Sequence, residues 1–174
     1  MVTETTAESI CEVGATLGEG PIWVERDAAL WFVDIKAPCV YRFDPETATL
    51  DRWDAPDQTG WVIPADDGSF LAGVRGALHR FDPATGAFGH LAAVHPETPG
   101  NRLNDAARDS SGRVWFGTMD NAESDETGHV YHWHLGALTK TDIPPVAITN
   151  GPAISPDGRT LYAVDTLGKR IDAY

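Results

Sequence analysis

Cysteine, basic charge, long apolar runs and helical periodicity are all scarce in this chain, and each scarcity excludes a class of protein. Only two cysteines occur, Cys11 and Cys39, without CxxC spacing, so a disulfide framework and a thiolate zinc site are excluded and two buried free thiols are expected. Lys and Arg number 13 against 26 Asp and Glu, a formal net charge of −13. Nucleic acids are bound through clustered Lys and Arg, so no nucleic-acid partner is expected. No apolar run approaches the roughly 20 residues that span a bilayer, and the start Met1-Val-Thr-Glu-Thr-Thr-Ala-Glu8 lacks the basic and apolar parts of a signal peptide. No membrane association and a cytoplasmic location are therefore expected. Neither a Gly-x-Ser-x-Gly nucleophile elbow nor a Gly-x-Gly-x-x-Gly dinucleotide loop is present.

In place of helical periodicity stand short runs of β-branched and aromatic residues between clusters of Gly, Pro, Asp and Asn, the pattern of an all-β protein. The 174 residues, 42% of them hydrophobic, suffice for one domain with a sizeable core. The runs repeat. Leu30-Trp-Phe-Val-Asp34, Phe70-Leu-Ala-Gly73, Val114-Trp-Phe-Gly117 and Leu161-Tyr-Ala-Val-Asp165 recur every 40 to 47 residues, the repeat length of four-stranded propeller blades. A turn signal (Asp67-Gly68, Ser111-Gly112, Asp157-Gly158) precedes three of them. Tyr41-Arg-Phe-Asp-Pro-Glu-Thr-Ala48 and His79-Arg-Phe-Asp-Pro-Ala-Thr-Gly86 repeat one hairpin 38 residues apart. The expected blades are residues 15–55, 56–98, 99–146 and an incomplete 147–174. An open four-blade arc leaves two exposed edges, so the chain is expected to be part of a larger propeller, with a closed four-bladed ring as the alternative.

The repeat gives meaning to a few polar residues. Eleven residues before the repeated strand stand Glu19 and Asn150, in the matching contexts Gly18-Glu-Gly-Pro21 and Thr149-Asn-Gly-Pro152. With a one-residue contraction the same phase of the third blade is Asn104, and in the second it is Gly60. Equivalent positions on innermost strands form a ring around the propeller axis, so these oxygen donors converge on the central channel. In a six-bladed ring the first and fourth blades would set Glu19 and Asn150 across the channel from each other. A carboxylate with amide oxygens is a hard ligand set, suited to Ca²⁺, Mg²⁺ or Mn²⁺ and tolerable to Zn²⁺. Either motif alone is also an ordinary turn; it is their common phase that favours a metal site.

The segments Leu17-Gly-Glu-Gly-Pro-Ile-Trp23, Arg102-Leu-Asn-Asp105 with Gly112-Arg-Val-Trp-Phe-Gly-Thr-Met119, and Thr149-Asn-Gly-Pro152 with Ser155-Pro-Asp-Gly158 closely resemble the senescence-marker-protein (regucalcin), gluconolactonase and luciferin-regenerating family. Val33-Asp-Ile-Lys36 resembles its bacterial sugar-lactonase branch. The resemblance implies a six-bladed propeller, of which about the first four blades are present. It further implies hydrolysis of a small-molecule sugar lactone of gluconolactone or xylonolactone type with one divalent cation (Ca²⁺, Zn²⁺, Mn²⁺, Mg²⁺ or Fe²⁺). Carried over, it makes Glu19 and Asn150 metal ligands and Arg102 and Asn104 contacts to substrate or to a water on the metal. A family acidic residue after Gly-Thr-Met falls on Ala122 by direct counting, leaving Glu123 as a substrate contact only if the loop shifts. The family's last ligand and candidate base is an Asp of the fifth blade, expected beyond Tyr174. No catalytic base is thus expected within these residues, and little activity of the fragment alone. A monomer or weak dimer is expected.

Two other functions share the same donors: a calcium-binding regulatory or scaffold propeller without turnover, and a metal-dependent aryl-ester or phosphotriester hydrolase. Among the remaining signals, His129, His132 and His134 read as strand-surface residues and Asp120–Glu126 as a solvated loop without the Gly and Glu of an EF-hand. Trp23, Trp31 and Trp115 read as blade core. Trp61, beside Gly60, reads as blade core with stacking on a sugar as the alternative.

Overall fold

The computed structural model describes residues 6–174, so the first five residues of the segment read above for a leader lie outside the described residues. The first sheet comprises β1 (Gly18–Val24), β2 (Ala29–Asp34), β3 (Cys39–Asp44) and β4 (Thr49–Asp54). The second comprises β5 (Thr59–Pro64), β6 (Phe70–Val74), β7 (Ala77–Asp82) and β8 (Ala87–Ala93). The third comprises β9 (Asn101–Arg108), β10 (Val114–Asp120), β11 (Val130–His134) and β12 (Ala137–Lys140). The fourth comprises β13 (Thr149–Ile154), β14 (Leu161–Asp165) and β15 (Arg170–Ala173). Each sheet is an antiparallel meander in chain order, and together they form four blades of a β-propeller. The repeated runs of the sequence are β2, β6, β10 and β14, the second strand of each blade. The repeated hairpin closes because its aspartate caps the turn: Asp44 Oδ1 accepts the Glu46 and Thr47 N–H at 2.9 and 3.2 Å, and Asp82 Oδ1 accepts the Ala84 N–H at 3.0 Å.

The core lies between blades. Trp31 and Val33 of the first sheet pack on Phe70 and Phe81 of the second, with the Trp31 and Phe70 rings 4.3 Å apart. Trp61 and Leu78 of the second sheet meet Leu103, Phe116 and Tyr131 of the third. Each fully buried indole removes about 200 Å² from water, about 5 kcal/mol as an upper estimate. Between the third and fourth sheets the seam is slighter: Met119, Ala147 and Ile148.

Three expectations need correction. Trp23 is 49% exposed, because it pairs with Leu30 and so lies on the opposite face of the sheet from Trp31; its Nε1 donates to Glu25 Oε2 at 2.8 Å. Trp115 is only half-buried and donates to Asp109 Oδ2 at 2.9 Å. Cys39 is a buried free thiol, whereas Cys11 is free but only half-buried. Among the described residues no helix is long and apolar enough to cross a membrane.

Candidate metal and substrate site

The first strand of every blade carries an irregularity at the same place. Pairing breaks between Glu19 and Ile22, between Thr59 and Trp61, opposite the Phe116–Thr118 step of β10, and between Asn150 and Ala153. The register makes the breaks comparable: Gly18 pairs with Asp34, Thr59 with Val74, Leu103 with Thr118 and Thr149 with Asp165. The next residue in each strand is Glu19, Gly60, Asn104 and Asn150. Such bulges re-aim the side chains beside them, here through glycines in the left-handed region, Gly20 at φ 58° and Gly151 at φ 73°.

The four positions also adjoin one another in space. A Cβ on Gly20 would sit 3.2 Å from the Gly60 carbonyl, and one on Gly60 would sit 2.6 Å from the Asn104 carbonyl. Asn104 Nδ2 in turn donates to the Thr149 carbonyl at 2.6 Å. The first strands are thus the inner strands. The second blade offers no donor at this phase because β9 leaves room for nothing larger than hydrogen there.

Around this line Arg102, Asn104 and Asn150 form one directed chain of hydrogen bonds. The guanidinium carries donors only, so the group it meets must be oxygen: Arg102 Nη1 donates to Asn104 Oδ1 at 2.7 Å. The Asn104 amide is thereby oriented with Nδ2 toward the fourth blade, where it donates to Asn150 Oδ1 at 3.0 Å. Asn150 is oriented in the same sense, its Nδ2 donating to Thr166 Oγ1 at 2.6 Å. Both Asn104 donor hydrogens are therefore committed, and it offers a ligand only its second Oδ1 lone pair.

Arg102 is 4% exposed, and its Nε has no partner among the described residues. Burial pushes its pKa below the ordinary arginine value, against the fields of Glu123 and then Glu19. Asp105, also on the inner strand, is pushed up by burial in spite of N–H bonds from Ala106 at 2.8 Å and Gly151 at 2.9 Å; the Glu19 charge adds to the rise. A cleft of about 460 Å³ runs along β1, β5 and β9, with Glu19, Pro21 and Asp105 in its lining.

The entry to β1 is fixed by Asp34, whose oxygens accept the Thr16 and Leu17 N–H at 2.7 and 3.1 Å and those of Lys36 and Ala37 at 3.0 Å. Burial pushes this carboxyl up, but the four bonds outweigh it and hold it below the usual range. Glu19 follows two residues after Leu17, exposed and without a hydrogen bond or ion pair among the described residues. Asn150 Oδ1 accepts one bond and keeps one lone pair. A free carboxylate with an oriented amide oxygen fits a hard divalent cation. Among the described residues no three His, Cys, Asp or Glu side chains gather, so amides complete the donor set available here.

Glu123 lies in the exposed β10–β11 loop, with φ 61°. The loop is organised by Asp120, whose oxygens accept the N–H of Ala122, Ser124 and Asp125 at 3.1, 2.9 and 3.0 Å, so the acidic stretch has a buried anchor. No hydrogen bond joins Glu123 to Arg102 among the described residues; the two act on each other through their charges. Trp61 is 1% exposed, lies directly opposite Gly73 and packs on Phe116, with ring centroids 5.5 Å apart. It is core and cannot stack on a sugar. Asp105 stood in the quoted Arg-Leu-Asn-Asp segment without a role assigned; its acidic character beside an aligned donor was the available signal.

A propeller whose inner strands present aligned oxygen donors beside a buried arginine defines the class. Within it, the SMP-30/gluconolactonase/LRE-like family model matches residues 17–174, and the chain belongs to that family. L-arabinolactonase of Azospirillum brasilense is 34% identical over 169 residues, taking in 95% of this chain and 56% of that protein. The 6-deoxy-6-sulfogluconolactonase of Pseudomonas putida is 28% identical over 162 residues, 92% of this chain and 55% of that one. The crystal structure of a calcium-binding protein, regucalcin, from Agrobacterium tumefaciens str. C58 superposes with a TM-score of 0.86 at 29% identity, covering 91% of this chain and 54% of that one. The chain spans about half the length of the curated relatives it matches.

Proposed function

We propose that the whole protein hydrolyses sugar lactones to aldonic acids with one divalent cation, held by Glu19 and Asn150, in a six-bladed propeller. The observation that carries this reading is the common phase of Glu19, Asn104 and Asn150 on bulged inner strands; the lactonase names of two relatives support it. When bound, the cation supplies Lewis-acid polarisation of a carbonyl and lowers the pKa of water. Arg102, with Nη2 free of partners among the described residues and Nε buried, presents its guanidinium edge at Nη2 to substrate hydroxyl oxygens. Asn104 accepts one substrate hydroxyl at Oδ1 and holds Asn150 with its Nδ2. Glu123, in the β10–β11 loop, is the candidate acidic contact to a further substrate hydroxyl. The proton is taken by an aspartate of the fifth blade.

Hydrolysis of an aldonolactone panel by the full-length protein, before and after chelation, tests the reading. Activity is lost on chelation and restored by Mn²⁺ or Ca²⁺; hydrolysis indifferent to chelation refutes it. Cation binding without turnover is a second reading, favoured by the calcium-binding regucalcin. It predicts a bound cation and no hydrolysis of any lactone in the panel.

A further inference from the structure

Asp105 has no part in the chemistry above, yet its carboxylate is half-buried and has no cationic partner among the described residues. Its Oδ2 accepts the N–H of Gly151 at 2.9 Å, reaching from β9 of the third blade to β13 of the fourth. Gly151 follows Asn150 directly and sits in the β13 bulge, where the ladder pairs Asn150 with Val164 and resumes only at Ala153 with Tyr162. The next residue is Pro152, which has no N–H. Of the two residues the bulge leaves out of the ladder, Gly151 alone has a donor to satisfy, and Asp105 satisfies it.

The bond fixes the peptide that leaves Asn150, while the Asn104 bond fixes the Asn150 side chain at 3.0 Å. Asp105 is itself placed by the matching bulge of β9, opposite the break between Phe116 and Thr118. Two bulges on neighbouring inner strands are thus locked to each other, and Asn150 stands where they lock. We propose that Asp105 is a positioning residue for Asn150, holding the bulged backbone in the geometry that presents Oδ1 to a divalent cation. The proposal rests on the reading of Glu19 and Asn150 as cation ligands.

The test is Mn²⁺ affinity of the full-length protein, titrated by electron paramagnetic resonance, for wild type, Asp105→Asn, Asp105→Ala and Glu19→Ala, with thermal unfolding of each. Asn keeps one oxygen that can accept the Gly151 N–H, although its NH2 then meets the Ala106 N–H that Asp105 Oδ1 accepts, so Asp105→Asn stays within about fivefold of wild type, whereas Asp105→Ala weakens Mn²⁺ roughly 10- to 100-fold. Wild-type affinity in Asp105→Ala overturns the proposal. A tenfold or greater loss in folded Asp105→Asn also overturns it, since the charge or direct ligation is then what matters; that result decides even where the alanine variant does not fold. Mn²⁺ binding unchanged in Glu19→Ala refutes the underlying cation reading, and the positioning role falls with it.

Discussion

Adding one methyl group at Gly60 drives it into the backbone of the neighbouring blade. Its Cβ would lie 2.6 Å from the Asn104 carbonyl oxygen and 2.7 Å from that of Leu103. Both obstacles are main chain, so neither can swing aside; β9 must withdraw by roughly 0.8 Å to restore ordinary contact at 3.4 Å. Gly60 is not among the described residues with positive φ, so alanine meets no backbone strain there and the cost is packing alone. Overpacking of this kind costs about 1–3 kcal/mol. At about 2–4 °C per kcal/mol for a domain of this size, the melting temperature falls by about 2–12 °C. The displaced strand carries Arg102, Asn104 and Asp105, so Mn²⁺ affinity falls as well. Gly100→Ala is the control: nothing lies within 4 Å of its Cβ. Differential scanning calorimetry of both variants decides the matter. Equal melting temperatures for Gly60→Ala and Gly100→Ala refute the claim that the inner strands meet too closely for a side chain in the second blade.

Two further outcomes follow from side-chain geometry. Thr166→Val keeps the shape of the β14–β15 turn but removes the acceptor of Asn150 Nδ2; Mn²⁺ affinity falls roughly 2- to 10-fold, the value of one neutral hydrogen bond, while thermal unfolding stays within about 2 °C. His95 and His129 meet edge to face with centroids 5.0 Å apart, surrounded by Glu97, Lys140 and Tyr131. Burial lowers both pKa values below 6.5, so the folded state binds fewer protons than the unfolded chain. Their contribution to stability is therefore complete above about pH 6.5 and is lost as pH falls below it. The melting temperature drops between pH 6.5 and 5, and His95→Gln shallows that drop; an unchanged slope contradicts the assignment.

The blades were legible because each second strand and one hairpin are nearly the same words repeated, and turn chemistry is local. Glu19 and Asn150 were legible for a related reason: the first and fourth blades run the same number of residues from bulge to second strand, so counting backward reached equivalent positions. Facing was not legible. The bulges shift the two-residue alternation within the inner strands, which left Trp23 on the opposite face from Trp31. That Trp61 is core rather than a ring for stacking on a sugar was not legible, because its slot is provided by Gly73, a partner known only from the strand register. The orientation of the Asn104 amide and the tie from Asp105 to Gly151 depend on contacts between blades, which no single segment encodes.

Mn²⁺ stoichiometry and affinity of the full-length protein, measured by isothermal titration for wild type, Glu19→Ala and Asn150→Ala, test the central claim most directly. One cation per chain in the wild type, with at least tenfold weaker binding in each variant and unaltered folding, is the predicted result. Wild-type affinity in either variant contradicts it.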